Sequence, residues 1–388
     1  MKPPAVGTAL SHDDLDRAAD KLALLARELG SKTEQARCLP EELVAALRSS
    51  GLLRAGAPAR VGAAEAPPAA ILAAAETVAR GDASAGWCVS IAATSSLLGG
   101  WLPEDGLQEV FGDPGQVAAG VWAPRGKARR VDGGYRVTGT WSFCSGIMHS
   151  DYLFGGCLVE AETDGGPPVP RVLGLPVSEL EVSDTWHTSG LRGTGSHDAT
   201  AQDIFVPEHR SLWLLDPPTS DAPLYRFPVL AFFALSISAA ALGNARGAID
   251  DLAELAGIKV GQGSSRTLAQ RAGTWSVVAR CEAALRGARA LYYQAIDEAW
   301  AAAQSTEPVS TDLRVGLRLA ATHAVRTAAE VAREMYDLGG GSAIYDSSPL
   351  QRRFRDAHTA TAHFQVNPAT WELTGRILLD QPTDTTML

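Results

Sequence analysis

The sequence predicts a mainly α chain with a central β domain, in three parts: helices over residues 1–115, a β domain over 116–220 and a four-helix bundle over 221–388. Three observations predict it. Apolar residues recur at helical spacing near the start, at Leu15, Ala18, Leu22, Leu25 and Leu29. The middle third breaks into short β-type runs between turn residues, with Val131-Asp-Gly-Gly134 a hairpin signal. The last part holds four long helical stretches with short joints, which is the pattern of a bundle.

Each element has a local reason. Ser11 can cap the first helix, with Asp13 and Asp14 in its first turn, and Gly30 reads as its end. Pro40 opens a second helix over 41–50, and Gly51 closes it. Residues 53–68 are rich in Gly, Ala and Pro and read as loop. A third helix spans 69–80, Ser84-Ala-Gly-Trp87 opens a fourth that runs to about Leu98, and Pro103 starts a short one to Phe111. Strands at 151–159, 172–176 and 201–206 join the hairpin in a small sandwich or barrel. The bundle helices are expected over 227–257, 266–303, from Ser310 to the Gly339-Gly-Gly341 run, and over 349–379 with a break near Pro368.

Composition limits the function. A net charge of −10 excludes a general nucleic-acid binder, which needs a basic face. Five cysteines are scattered singly, and no Cys, His, Asp or Glu set has metal spacing, so no metal is expected. The N-terminus lacks a basic-then-apolar signal pattern. The longest apolar run, from Val229 to Leu242, is interrupted by Ser236 and Ser238 and reads as a buried helix rather than a membrane span. The expected compartment is the cytoplasm.

Four motifs stand in order: Ser84-Ala-Gly-Trp87, Val131-Asp-Gly-Gly-Tyr135, Gly190-Leu-Arg-Gly-Thr-Gly-Ser196 and Ser348-Pro-Leu-Gln-Arg-Arg-Phe-Arg-Asp356. With the helix–β–helix order they resemble the acyl-CoA dehydrogenase superfamily over nearly the whole chain. The closer match is to the two-component flavin monooxygenases of that fold, similar to hydroxyphenylacetate, secosteroid-phenol and actinorhodin-type polyketide hydroxylases. That resemblance implies a flavin held between two β-segments. Phe143-Cys144-Ser145 matches the superfamily segment whose hydroxyl residue sits near flavin N5, which gives Ser145 a catalytic role. Val121, Trp122 and Trp87 match positions that line the ring. Arg192, Thr194 and Ser196 offer a guanidinium and turn donors for phosphate or ring. Arg266 matches an arginine that reaches the flavin phosphate of a neighbouring subunit, and Gly341 and Ser342 match a flavin-contacting loop.

The C-terminal stretch separates two chemistries. A dehydrogenase takes an α-proton with a carboxylate. In the common pattern a glutamate lies two turns beyond the Arg-Asp-Ala motif; here Arg355-Asp-Ala357 is present but Phe364 fills that place, and no acid occurs between Asp356 and Glu372. His363 matches the histidine thought to deprotonate a phenol in the monooxygenase branch, a task suited to imidazole. His149, His187 and His358 are expected to be structural. The branch often has another histidine where Ser95 stands, so the substrate clamp differs, and the nearby Gly99 and Gly100 allow a larger ring system. The resemblance therefore implies a monooxygenase that hydroxylates an aromatic, phenolic or polycyclic substrate of biosynthetic type. It would use O2 through a flavin C4a-hydroperoxide. Its flavin would be reduced FMN, with FAD as the alternative, supplied by a separate NAD(P)H-flavin reductase. A homotetramer is implied, with no nucleic-acid or membrane partner. The alternatives are N-hydroxylation of an amine or amino sugar, an acyl-CoA dehydrogenase with a displaced base, and a flavoprotein homologue without turnover.

Overall fold

The computed structural model describes residues 12–161, 166–261 and 263–388; the expected cap at Ser11 lies outside them. Helices α1 (His12–Ala36), α2 (Glu41–Ser50), α3 (Pro68–Gly81), α4 (Ala83–Ser96) and α5 (Glu104–Phe111) come first. The apolar stripe of α1 buries Leu15, Ala19, Leu22 and Ala26. Gly30 does not end this helix, which continues to Ala36. Its glycine serves a close approach instead: a Cβ there would lie 2.7 Å from a guanidinium nitrogen of Arg352. Gly51, at φ 74°, closes α2 as expected. Every residue of α4 is buried, and Asp82 caps it by accepting the Ala85 N–H at 3.0 Å.

Strands β1 (Ala118–Val131), β2 (Gly134–Trp141), β3 (Tyr152–Val159), β4 (Val169–Pro176), β5 (Glu181–Ser183), β6 (Asp198–Pro207) and β7 (Ser211–Leu212) form one mixed sheet in the order β5-β6-β2-β1-β3-β4-β7. The hairpin falls where expected, with Val131 opposite Gly134. β1 and β3 run parallel; the other pairs are antiparallel. The single sheet curls until β4 meets β6 across its own small core. Trp141 fills that core, fully buried, with its indole N–H on the Gly156 carbonyl at 2.9 Å. A Cβ on Gly126 or Gly155 would come within 2.6 or 2.8 Å of the indole, so the glycines make its room.

The C-terminal part comprises α6 (Pro223–Arg226), α7 (Val229–Ile258), α8 (Ala272–Ala303), α9 (Thr311–Gly339), α10 (Pro349–Ala360) and α11 (Ala369–Leu378). Ser310 caps α9 through the Leu313 N–H. α7 is long and apolar enough to cross a membrane, but 78% of its most apolar window is buried inside the protein, against α3, α4 and α9. α8 begins at Ala272, later than expected, because Val260 and Thr267 form a β-bridge and Leu268–Gln270 makes a separate turn with its own capping box. The break in the last stretch is wider than Pro368 predicts: α10 already stops at Ala360, and residues 361–368 are turns. Two arginines of α9 receive the carbonyls released there, Arg326 at Thr361 O (3.1 Å) and Arg318 at Gln365 O (2.9 Å).

Candidate active site

The loop after β2 turns sharply at Phe143, which has φ 65° and is 70% exposed. A bulky residue rarely adopts that conformation. Here it sends the phenyl ring outward, edge-on to Trp186 at 6.0 Å, while Cys144 points into the sheet core. The Cys144 thiol bonds the Trp141 carbonyl, and burial pushes it up to about 12, so it is an inert core group. Gly146 N–H and Cys144 N–H bond Thr194 O and His197 O, which fastens this loop to the 190–197 segment.

A hydroxyl chain crosses that junction. Thr194 Oγ1 donates to Leu191 O at 2.9 Å, Ser196 Oγ lies 2.6 Å from Thr194 Oγ1, and Ser145 Oγ lies 2.8 Å from Ser196 Oγ. A hydroxyl has one proton. Because Thr194 spends its proton on a carbonyl, Ser196 donates to Thr194 and Ser145 donates to Ser196. Ser145 therefore faces its other neighbours only as an acceptor. It accepts the indole N–H of Trp87 at 3.1 Å.

Trp87 also meets His363, edge to face, with centroids 5.9 Å apart. His363 does not lie on a helix face, since α10 has ended; it sits in the turn segment beyond, half-buried. Phe233 from α7 lies at 5.3 Å and Phe364 stacks at 5.0 Å. Nδ1 accepts the Gln365 N–H at 3.3 Å. Burial, and then the Arg318 cation behind it, hold the imidazole down to about 4, so the ring is neutral at neutral pH. Trp122 packs on Phe233 at 5.0 Å, its indole nitrogen buried without an acceptor among the described residues; Val121 precedes it at the β1 irregularity. Arg192 is partly exposed, 3.8 Å from Glu34, with a buried Nε that has no partner among the described residues.

The fold thus brings together Trp87, Ser145, Thr194, Ser196 and His363, with Trp122 linked through Phe233 and with Phe143 and Arg192 on the two joined loops; Cys144, expected to contact the flavin, points instead into the sheet core, and Val121 packs against that same core. Arg266, Gly341 and Ser342 lie elsewhere. Lys259, just past α7, bonds Gly339 O, and Val260 bridges Thr267, so both segments sit at the C-terminal end of α7. Phe233 sits near its N-terminal end. At about 1.5 Å per residue, the helix between separates them by roughly 38 Å. Gly99 and Gly100 do not widen the site either: Cβ atoms there would meet Pro58 at 2.8 Å and Tyr225 at 2.2 Å, so those residues occupy the room. His149 is buried and held near 4 by burial and Arg48, while His358 bonds the Phe354 carbonyl. Phe233, Arg318 and Gln365 carry no sequence signal for the site: the first lies in an apolar run and the others in unremarkable polar positions.

Comparison with known proteins shows the family and the fold. Residues 235–368 match the family model described as acyl-CoA dehydrogenase, C-terminal domain. An indole-3-acetate monooxygenase of Pseudomonas putida is 36% identical over 88% of this chain and 87% of its own. The oxygenase subunit HsaA of a flavin-dependent monooxygenase from Rhodococcus jostii (strain RHA1) is 30% identical over 90% of this chain and 94% of its own. The solved structure of XiaF from a Streptomyces species, in complex with FADH2 and glycerol, superposes with a TM-score of 0.88 at 28% identity, covering 96% of each chain. The chain belongs to the flavin-dependent monooxygenases of the acyl-CoA dehydrogenase fold, as the oxygenase component of a two-component enzyme.

Proposed function

We propose that this oxygenase hydroxylates an aromatic substrate at carbon, with O2 and reduced FMN delivered by a separate NAD(P)H-flavin reductase. The observation that carries the reading is the link through Trp87, which bonds Ser145 and abuts His363 although those residues are 218 positions apart in the chain. One indole joins the hydroxyl matched to the flavin ring with the histidine matched to the substrate. The relatives named for indole-3-acetate and for flavin-dependent oxygenation support an aromatic substrate and a reduced flavin. XiaF holds FADH2, so FMN is our choice for this chain and FADH2 its competitor.

The residues fit a flavin. Ser145 presents an outward lone pair, suited to the N–H at N5 of a reduced ring. Phe143 and Trp186 give an open aromatic wall, and Arg192 keeps a nitrogen without a partner among the described residues, for an anionic or carbonyl oxygen. Reduced flavin supplies the activation of O2. Ser145 holds the ring edge, Trp87 orients Ser145, and Trp87, Phe233 and Phe364 give His363 aromatic neighbours. Phe364 disfavours the dehydrogenase alternative, because it puts a phenyl ring where a carboxylate base is needed. Arg266, Gly341 and Ser342 belong, on this reading, to the flavin of another subunit in a homotetramer working in the cytoplasm.

The test is to mix anaerobic protein and reduced FMN with oxygenated buffer and follow the spectrum. A transient near-ultraviolet band before oxidised flavin appears is expected. Oxidation at the rate of free reduced FMN, with and without an aromatic substrate present, would count against the proposal.

A further inference from the structure

The hydrogen bond at His363 Nδ1 fixes which way the imidazole can work. An N–H from Gln365 points at that nitrogen, so Nδ1 must be bare and the neutral ring carries its proton on Nε2. To act as a base through Nε2, the ring would need its proton on Nδ1, facing another N–H. Gln365 cannot easily turn aside. Its carbonyl and its side-chain oxygen both accept from Arg318, which is 2% exposed and is held on its other side by Met387 O at 2.7 Å. Nε2 has no hydrogen bond to any described residue, and the ring is only half-buried.

A second donor waits nearby. Trp122 Nε1 is buried and lacks an acceptor among the described residues, and the Trp122 and His363 rings both pack against Phe233. The Ser95 hydroxyl, also without a described partner, stands at the same 2.8 Å from the empty Cβ position of Gly120 as Trp122 Nε1 does. A buried donor left unpaired costs about 1–3 kcal/mol, which an arriving acceptor recovers.

We propose that His363 meets the substrate as an Nε2–H donor with Trp122 Nε1–H as its companion, and that the site selects aromatic molecules carrying an acceptor oxygen rather than taking a proton from a phenol. The acceptor is a carbonyl, a carboxylate or an already ionised phenolate. The ring to be oxygenated then has to be nucleophilic as it arrives, as a neutral electron-rich heteroaromatic or as an anion formed in solution. This rests on reading the cluster as the substrate site of the oxygenase.

The test is calorimetric binding of matched probes to the full-length protein, with and without oxidised FMN: indane, 1-indanone, indane-1-carboxylate and 5-indanol. At least one of the two acceptor probes is expected to bind about fivefold to tenfold tighter than indane. The preference persists in His363→Gln, whose amide N–H can replace Nε2–H but cannot serve as a base. It falls to about twofold or less in His363→Leu, and it shrinks independently in the milder Trp122→Phe. Which acceptor probe wins separates neutral from anionic ligands. Absence of any acceptor preference in the wild type overturns the proposal. So does a preference for 5-indanol that disappears in His363→Gln. The binding needs neither reduced flavin nor O2, so it reads out separately from failure of the monooxygenase chemistry.

Discussion

Asp356 accepts the backbone N–H of Leu191 at 2.6 Å, and this buried bond ties α10 to the loop that carries Thr194 and Ser196. Burial, and then the nearby Asp82, raise its carboxyl to about 7 from an ordinary 3.8. Between those values the folded protein holds a proton that the unfolded chain has released. The contribution to stability is therefore present below about pH 4 and declines as pH rises through 7. Asp356→Asn keeps an acceptor for Leu191 and removes the titration. The difference in melting temperature, variant minus wild type, is expected to rise between pH 5 and 7 and to level off above it. Parallel curves for the two proteins would deny Asp356 this role.

Two histidines work in the opposite direction over the same window. His363 and His149 are both lowered to about 4 from 6.5, mainly by burial. The unfolded chain binds their protons first, so stability is lost as pH falls from about 6.5 toward 4. Over that interval the two rings oppose the slope that Asp356 sets. Converting both to glutamine should flatten the acid limb of a urea-midpoint-versus-pH curve and unmask the falling slope of Asp356; an unchanged acid limb would show that other groups set it.

Ser145→Ala breaks the hydroxyl chain at its outer end. Trp87 loses its acceptor and Ser196 loses a donor. If Ser145 holds the flavin edge, the transient band after oxygen mixing should decay at least several times faster in stopped flow, while overall stability drops by only about 1–3 kcal/mol. An unchanged lifetime in a folded variant would reassign Ser145 to structure alone.

Arg318 is a buried guanidinium bonded to Gln365 and to the Met387 carbonyl, and burial, with Arg314 nearby, lowers it to about 10. Replacing it with Met fills the space but leaves those carbonyls unbonded. We expect Arg318→Met to lose about 1–3 kcal/mol in urea titration. Faster amide exchange should be confined to residues 361–368, the segment that carries His363.

The order of elements was legible because each boundary had a local chemical cause. Gly51 supplies a left-handed C-cap, Ser310 an N-cap and Asp-Gly a hairpin turn, and all three act within a few residues. Gly30 was misleading because its reason is tertiary: it makes room for Arg352, which lies more than 300 residues away in the sequence. The end of α10 was hidden for a similar reason, since Arg326 and Arg318 reach it from α9. At the site, the meeting of Trp87, Ser145 and His363 could be expected only from resemblance. Phe233 was invisible within an apolar helix, because periodicity cannot tell a core phenylalanine from one that lines a ligand.

Arg266, with Gly341 and Ser342, lies too far along α7 to touch a flavin held by Ser145 of its own chain. If these residues serve the flavin of another subunit, two defective chains can repair each other. Arg266→Ala and Ser145→Ala proteins should each be impaired alone. Assembled together from a shared unfolded pool, some interfaces combine an intact Ser145 from one chain with an intact Arg266 from the other. Those sites should restore tight reduced-FMN binding and the long-lived oxygenated band, to a fraction set by random mixing. Mixed assemblies no better than the average of the two parents would mean that Arg266 is a solvated surface residue. Light scattering on the same samples reads the subunit number and separates that outcome from a failure to assemble.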